Sequence, residues 1–263
     1  MNTVQQIYDI LQKKAPFQYQ LGFDNAGFLV GRSSAPVDSV LIALDITKAV
    51  AEEAVEMGAQ LIVSHHPVIW DGVKRLTDNT PGGDLLLYLA EHGIAAICAH
   101  TNLDAVADGV NDALACALGL TDVEQLSQDG VDEQGQPFGI GRVGQVSPQS
   151  VDTFAAAVKD RLGAACVRVV DSGIPVHRVA VGGGSCGSML ENVLAAGCDT
   201  FVTADVKYDV FLAAQAHGLN LLDAGHYPTE NVVCPVLERW LKEAFSDLKV
   251  SISSRHKEVY HCI

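Results

Sequence analysis

The chain has 263 residues, of which 48% are apolar and 19% charged, with a formal net charge of −15. That length can bury one or two cores, and so acidic a balance disfavours a general binder of nucleic acid or of anionic membranes, both of which need basic patches. No run reaches the roughly 18 apolar residues of a membrane span. The opening stretch MNTVQQIYDILQKKAP reads as an amphipathic helix without the apolar run of a signal peptide, so a cytoplasmic protein is expected. There are seven cysteines and no C-x-x-C, and most of the cysteines sit in apolar runs (Cys98, Cys116, Cys166, Cys234). Buried free thiols in a reducing compartment are expected.

In chain order, SVLIALDI (39–46) is a β-branched, apolar strand. TKAVAEEAVEMG (47–58) opens on a Thr cap and closes on Gly, as helices do. AQLIVSHH (59–66) is a second strand, DLLLYLAEHG (84–93) a helix, IAAICAHTNLD (94–104) a strand that runs into polar residues, and GVNDALACALGL (109–120) a helix. Apolar runs of this kind suit strands buried on both faces of a parallel sheet. TDVEQLSQDGVDEQGQ (121–136) reads as a polar linker, and PFGIGRVGQV (137–146), with its alternating glycines, as a hairpin or bulged edge strand. A second strand and helix series follows, ending in a long helix from about Pro228 to Phe245, which Pro235 should kink or restart, and a last strand at 248–254. The alternation predicts an α/β fold: two α/β domains with mixed or parallel sheets flanked by helices.

Chemistry in such sheets gathers beyond the carboxyl ends of the strands. His65 and His66 end one apolar run. They are neighbours on a strand, so their side chains diverge and can approach one site from two sides or reach two nearby ions. The next strand carries His100 and Asp104 just past its apolar run. In DAGHYPTE (223–230) His226 ends a third strand, and Glu230 follows at a helical spacing that permits a shared face. Three strand ends that each supply a histidine, two with a carboxylate nearby, point to a metal site of imidazole and carboxylate ligands. The alternative is a set of solvated loop histidines, with Glu230 merely favoured at a helix start.

FDNAGFLVG (23–31), SHHPVIW (64–70), AHTNLDAVADGVND (99–112), TADVKYD (203–209) and DAGHYPTE (223–230) together resemble the GTP cyclohydrolase I type 2 homologs, also called the Ngg-interacting-factor-three-like family. The resemblance runs nearly end to end. It implies a dinuclear site of two divalent ions (zinc, iron, manganese or nickel) with His65, His66, Asp104, His226 and Glu230 as ligands and His100 in or next to the ligand shell. It also implies a toroidal homohexamer, a trimer of dimers, with the sites facing an inner cavity. Three positions depart from the family pattern: Phe23 stands for a usual Trp, and Ala204 and Asp209 stand for a usual Gly and His. Convergence of the ligands requires 223–230 to return to the sheet of residues 65 and 104. The first domain would then comprise 1–125 and 222–263, with an inserted second α/β domain at 126–221.

From these residues a dinuclear metal-dependent hydrolase of a small anionic substrate is expected, a phosphoester or nucleotide, with metal-bound hydroxide as the nucleophile. Glu230 would bridge the ions, and His100 would shuttle a proton or orient a ligand. The competing class is a metal-binding regulatory or scaffold protein without turnover; a ligand set rich in oxygen and free of Cys leans toward catalysis. VGGGSCGSML (181–190) is either a phosphate cradle or, in the favoured reading, a tight structural turn, and Asp24 and Asn25 read as a turn before the FLVG strand. The loop 71–83 after Trp70 is a lid, with Lys74 and Arg75 as anion contacts, or a subunit contact; Lys207 and Tyr208 are further candidates to reach an anion.

Overall fold

The structure is a computed structural model and describes residues 2–263. In chain order it runs β1 (Asn2–Thr3), α1 (Val4–Lys14), β2 (Gly27–Val30), β3 (Pro36–Val37), β4 (Ser39–Ala43), α2 (Lys48–Met57), β5 (Leu61–Ser64), α3 (Pro81–Glu91), β6 (Ala95–Cys98), α4 (Thr101–Ala105) and α5 (Val110–Leu118). There follow β7 (Thr121–Gln125), β8 (Gly130–Val131), β9 (Pro137–Phe138), β10 (Arg142–Gln149), α6 (Val151–Leu162), β11 (Arg168–Val170), β12 (Val176–Val181), α7 (Leu190–Ala195), β13 (Thr200–Thr203), α8 (Tyr208–Ala216), β14 (Asn220–Asp223), α9 (His226–Glu230), α10 (Cys234–Ala244) and β15 (Lys249–Ile252). No described helix is long and apolar enough to cross a membrane.

The chain separates into two compact units, Met1–Leu103 with Cys234–Lys257, and Asp104–Val233 with Glu258–Ile263. The first unit holds a five-stranded sheet in the order β15-β4-β5-β6-β2. β15, β4, β5 and β6 run parallel, and β2 closes the edge antiparallel. Every residue of β5 and β6 is buried, which explains their unbroken apolar sequences. Leu41, Ile62 and Ala96 pack with Val50, Ala51 and Ala54 of α2 and Leu89 of α3 into one core. α2 starts where the Thr47 hydroxyl accepts the Val50 N–H and stops at Gly58, whose φ of 67° is the left-handed cap conformation.

The second unit holds a six-stranded sheet in the order β11-β14-β13-β12-β10-β7. β12, β13 and β14 are parallel, and β10, β7 and β11 are antiparallel to their neighbours. Two apolar clusters belong to this unit, one joining Leu114, Phe154 and Val158 to Val179 and Leu222, the other joining Val193 and Ala214 to Phe201 and Leu221. A mixed α/β architecture is therefore present, with helices flanking each sheet.

Several local expectations change. β10 is bulged but is no edge strand: it lies between β12 and β7 with register shifts against both. A Cβ on its Gly144 would sit 2.8 Å from Leu120 Cβ and 3.0 Å from the Thr121 carbonyl, so that glycine marks a close approach inside the sheet. β14, which leads to His226, pairs with β13 and β11 and so does not return to the sheet of β5. The expected helix over 228–245 is three pieces: α9, a 3₁₀ turn at Asn231–Val233, and α10, which restarts with Pro235 in its first turn. The loop expected at 71–83 ends earlier, because the Thr80 hydroxyl caps a helix that already begins at Pro81. Cys98, Cys198 and Cys234 are buried and in no disulfide, but Cys116 is exposed and Cys166 is joined to Cys262 in a disulfide.

Candidate metal centre

In the first unit all four parallel strands deliver a polar group just beyond their carboxyl ends. β15 leads to His256, β4 to Asp45, β5 to His65 and His66, and β6 to His100. The antiparallel β2 begins just after Asp24, so Asp24 comes to the same edge. The groups lie in the spatial order of the strands and are linked by hydrogen bonds. Asp45 Oδ1 is 2.8 Å from His66 Nδ1, and Asp45 Oδ2 is 3.0 Å from His256 Nε2. At the other end Asp24 Oδ1 is 2.8 Å from His100 Nδ1. Between them, ring nitrogens of His65, His66 and His100 lie within 4.8 Å of one another, a grouping that can hold a metal ion.

Each ring is fixed by its Nδ1. The Ala99 carbonyl, 2.9 Å from His65 Nδ1, can only accept, so His65 carries its proton on Nδ1 and, when neutral, its lone pair on Nε2. Asp45 and Asp24 select the same tautomer for His66 and His100. Burial alone would raise the Asp24 carboxyl, but hydrogen bonds from His100 and Thr101 outweigh it and hold the group at about 2. Asp45 behaves alike: burial opposes its charge, yet His256 and His66 keep the carboxyl below the ordinary range. Trp70 covers this row edge-on, its ring centroid 5.1 Å from that of His100.

In the second unit the carboxyl ends of β12, β13 and β14 converge in the same way, on Gly182–Gly184, Asp205 and His226. His226 Nδ1 lies 2.7 Å from Asp205 Oδ2, and its Nε2 lies 2.9 Å from Glu230 Oε2 one helical turn on. Glu230 and Asp104 are both buried carboxylates. Burial pushes the Cys186 thiol up, and the negative charges of Asp104 and Glu230 push it further.

The glycine loop does not serve as a phosphate cradle. The Gly182 amide donates to the Val202 carbonyl, Gly183 to Asn111 Oδ1, Gly184 to Thr229 Oγ1, and Cys186 to Thr203 Oγ1. These amides are already taken. The loop makes room instead: Gly184 has φ of 63°, and a Cβ there would meet Glu230 Oε1 at 2.0 Å. Lys74 and Arg75 lie in an exposed run from 71 to 80, and Tyr208 is 76% exposed. Asp45 and His256 carry no distinguishing signal in the sequence, and Asp205 only its place in TADVKYD. Asp24 had one, its neighbour Asn25, but a turn accounted for it; Asn25 in fact donates from Nδ2 to the Ile69 carbonyl, 2.7 Å away.

Parallel strand ends that present imidazoles oriented by carboxylates define an α/β protein with groups able to hold a metal ion. The whole length is accounted for more narrowly: residues 2–258 match the family model described as Duf34/NIF3 (NGG1p interacting factor 3), and the chain belongs to that family. It is 36% identical to a Streptomyces coelicolor protein named GTP cyclohydrolase 1 type 2 homolog, over 96% of this chain and 92% of that protein. A Staphylococcus aureus hypothetical protein of known crystal structure superposes with a TM-score of 0.93 at 29% identity, covering 99% of both chains. A Bacillus cereus protein related to NIF3 shares the fold, with a TM-score of 0.95 at 23% identity over 100% of this chain and 99% of that one.

Proposed function

We propose that the protein is a metal-dependent hydrolase of a small anionic substrate, a phosphoester or nucleotide, with two divalent ions held by His65, His66, Asp104, His226 and Glu230. The observation that carries the reading is the uniform treatment of the histidines. His66, His100 and His226 each have Nδ1 on a carboxylate and His65 has Nδ1 on a carbonyl, the arrangement that orients a ligand imidazole and raises its basicity. Solvated loop histidines would have no reason to share it. Such ions act as Lewis acids and activate water at neutral pH. Around them this chain's own groups have distinct tasks. Two carboxylates, Asp104 and Glu230, against two divalent ions leave the centre positive, which suits an anionic substrate in an acidic protein. Glu230, a carboxylate, would bridge the ions. His100, oriented by Asp24, would pass a proton or steady a ligand.

The name carried by the Streptomyces coelicolor relative is compatible with hydrolysis at a purine ring, so cyclic amidines belong among the substrates to test. The proposed assembly is a homohexamer, a trimer of dimers; the exposed edge strand β7 is one surface that a symmetry mate would cover. Light scattering at micromolar concentration reads the mass directly, and one or two chains at all concentrations would remove the ring.

The deciding experiment is elemental analysis of protein purified without chelator, followed by a screen of phosphoesters and cyclic amidines with the metal found. Two ions per chain and turnover are expected, and Glu230→Gln should lose at least one ion and all hydrolysis. Two ions without turnover on any substrate would favour the regulatory reading. Two ions retained by Glu230→Gln would overturn the bridging role.

A further inference from the structure

We propose that His256 is a positioning residue for His66, acting through Asp45. The proposal rests on the reading of His66 as a metal ligand. Asp45 gives one oxygen to each of two imidazoles, Oδ1 to His66 Nδ1 at 2.8 Å and Oδ2 to His256 Nε2 at 3.0 Å. A carboxylate turns readily about its last torsion, which has broad, two-fold preferences. Held at a single oxygen, Asp45 would leave the plane of His66 loosely set. Held at both, it becomes a fixed bracket between two rings.

The sheet builds this bracket. β15, β4 and β5 are adjacent and parallel, with Ile252 opposite Ile42 and Ala43 opposite Ser64. His256, Asp45 and His66 therefore leave three neighbouring strands at one edge. His256 is buried, with 9% of its surface exposed.

A second observation concerns how His256 is held. Glu53 on α2 is a buried carboxylate that the metal reading does not use. It accepts the Ser254 N–H at 2.9 Å, the Ser254 hydroxyl at 2.7 Å and the Arg255 N–H at 3.3 Å, and it also accepts the Ser253 hydroxyl. Burial opposes its charge, but these bonds outweigh that and keep the carboxyl low. The Ser253 oxygen in turn receives the His256 N–H at 3.2 Å. One buried glutamate thus clamps the turn that seats His256, and the chain of contacts runs from Glu53 through the turn to His256, Asp45 and His66.

The test uses the full chain stripped of metal, with zinc as the probe. Zinc affinity is measured by competition with a chromogenic chelator, and the His66 tautomer by long-range proton–nitrogen NMR of the metal-free protein. Removing partners behind a ligand typically weakens metal binding by roughly 10–100-fold. His256→Phe, which keeps the bulk and loses the donor, should weaken one zinc site by about tenfold and let the His66 ring exchange between tautomers. His256→Gln, which keeps an N–H for Asp45, should restore both. If the Phe variant does not fold, His256→Met takes its place.

Wild-type affinity together with a single fixed tautomer in His256→Phe would overturn the proposal. His66→Ala separates the two readings. If that variant binds zinc like wild type, His66 is no ligand, yet the tautomer of His66 in His256→Phe still decides whether the bracket exists. If His66→Ala loses an ion and His256→Phe does not, only the positioning role falls.

Discussion

The first unit presents nitrogen donors and the second presents mostly oxygen donors, and the two are held in opposite ways. In the first, the rings are fixed by groups at the ends of neighbouring strands, and His65 and the side chain of Asp24 have no exposed surface. In the second, His226 is held by Asp205, whose side chain is 52% exposed, and Glu230 occupies space that a missing side chain at Gly184 leaves open. A neutral imidazole must be aimed, because its lone pair is directional, so it needs a rigid bracket. A carboxylate offers two oxygens and several directions, so it needs room more than aim.

The largest expected effect tests the need for room. Gly184→Val forces a left-handed backbone on a β-branched residue and drives a side chain into Glu230. The backbone conformation alone costs about 1–2 kcal/mol. Gly163→Ala provides the control: its φ is 64°, and nothing lies within 4 Å of the added Cβ. Thermal melts should show a loss in both variants, while only Gly184→Val should also lose metal by elemental analysis. Full metal content in Gly184→Val would show that Glu230 tolerates displacement and would remove the reason for the glycine.

The next effect tests the need for aim. Asp45→Asn removes a bracket between two rings, with a side chain 43% exposed, and Asp205→Asn removes one on His226, with a side chain 52% exposed. Zinc competition should weaken by roughly 10–100-fold for Asp45→Asn. The effect of Asp205→Asn should be smaller, because Asp45 is held at both oxygens between His66 and His256, whereas Asp205 meets His226 through one oxygen. Equal losses would break the contrast between the two units.

A smaller effect appears in stability at acid pH. Asp24 is held at about 2 in the folded chain, below the roughly 3.9 of an unfolded aspartate. A depressed carboxyl contributes stability that is fully present above about pH 4 and is lost as pH falls through the folded value near 2. With solvent screening allowed for, that is about 1 kcal/mol. Urea unfolding of the metal-free protein should show Asp24→Asn less stable than wild type at pH 6, with the gap closing toward pH 2. A constant gap would mean that the loss is one of packing rather than charge.

These contrasts also show what was legible in the sequence. His65, His66, His100 and His226 stood out because each follows an apolar run that a strand must bury, and an imidazole has no place inside such a run. Asp45 was hidden for the converse reason: it is the penultimate residue of SVLIALDI, and a single aspartate at a strand end is ordinary. His256 lies in a polar stretch, and only strand order brings it beside Asp45. The glycines of 137–146 suggested an edge because a sheet interior rarely wants them. The contact that requires Gly144, with Leu120 and Thr121, comes from a paired strand whose register no local pattern reveals. The break between α9 and α10 was half visible, since Pro235 announced a restart without showing that the preceding turn would tighten to 3₁₀.

The smallest expected effect concerns the cover over the histidine row. Trp70 is 52% exposed and meets His100 edge-on, with centroids 5.1 Å apart, and His66 at a tilt, with centroids 6.5 Å apart. His100 is already held by Asp24, His66 by Asp45, and the chain just before Trp70 by Asn25. The indole therefore adds contact but no aim. Trp70→Ala is expected to change stability by no more than about 0.5 kcal/mol, as for a surface substitution, and to leave the metal content unchanged. Thermal melts and elemental analysis on the same preparation check both. Loss of an ion would show that hydrogen bonds to Nδ1 do not suffice to aim these rings, and the aromatic cover would then join the carboxylates as part of the bracket.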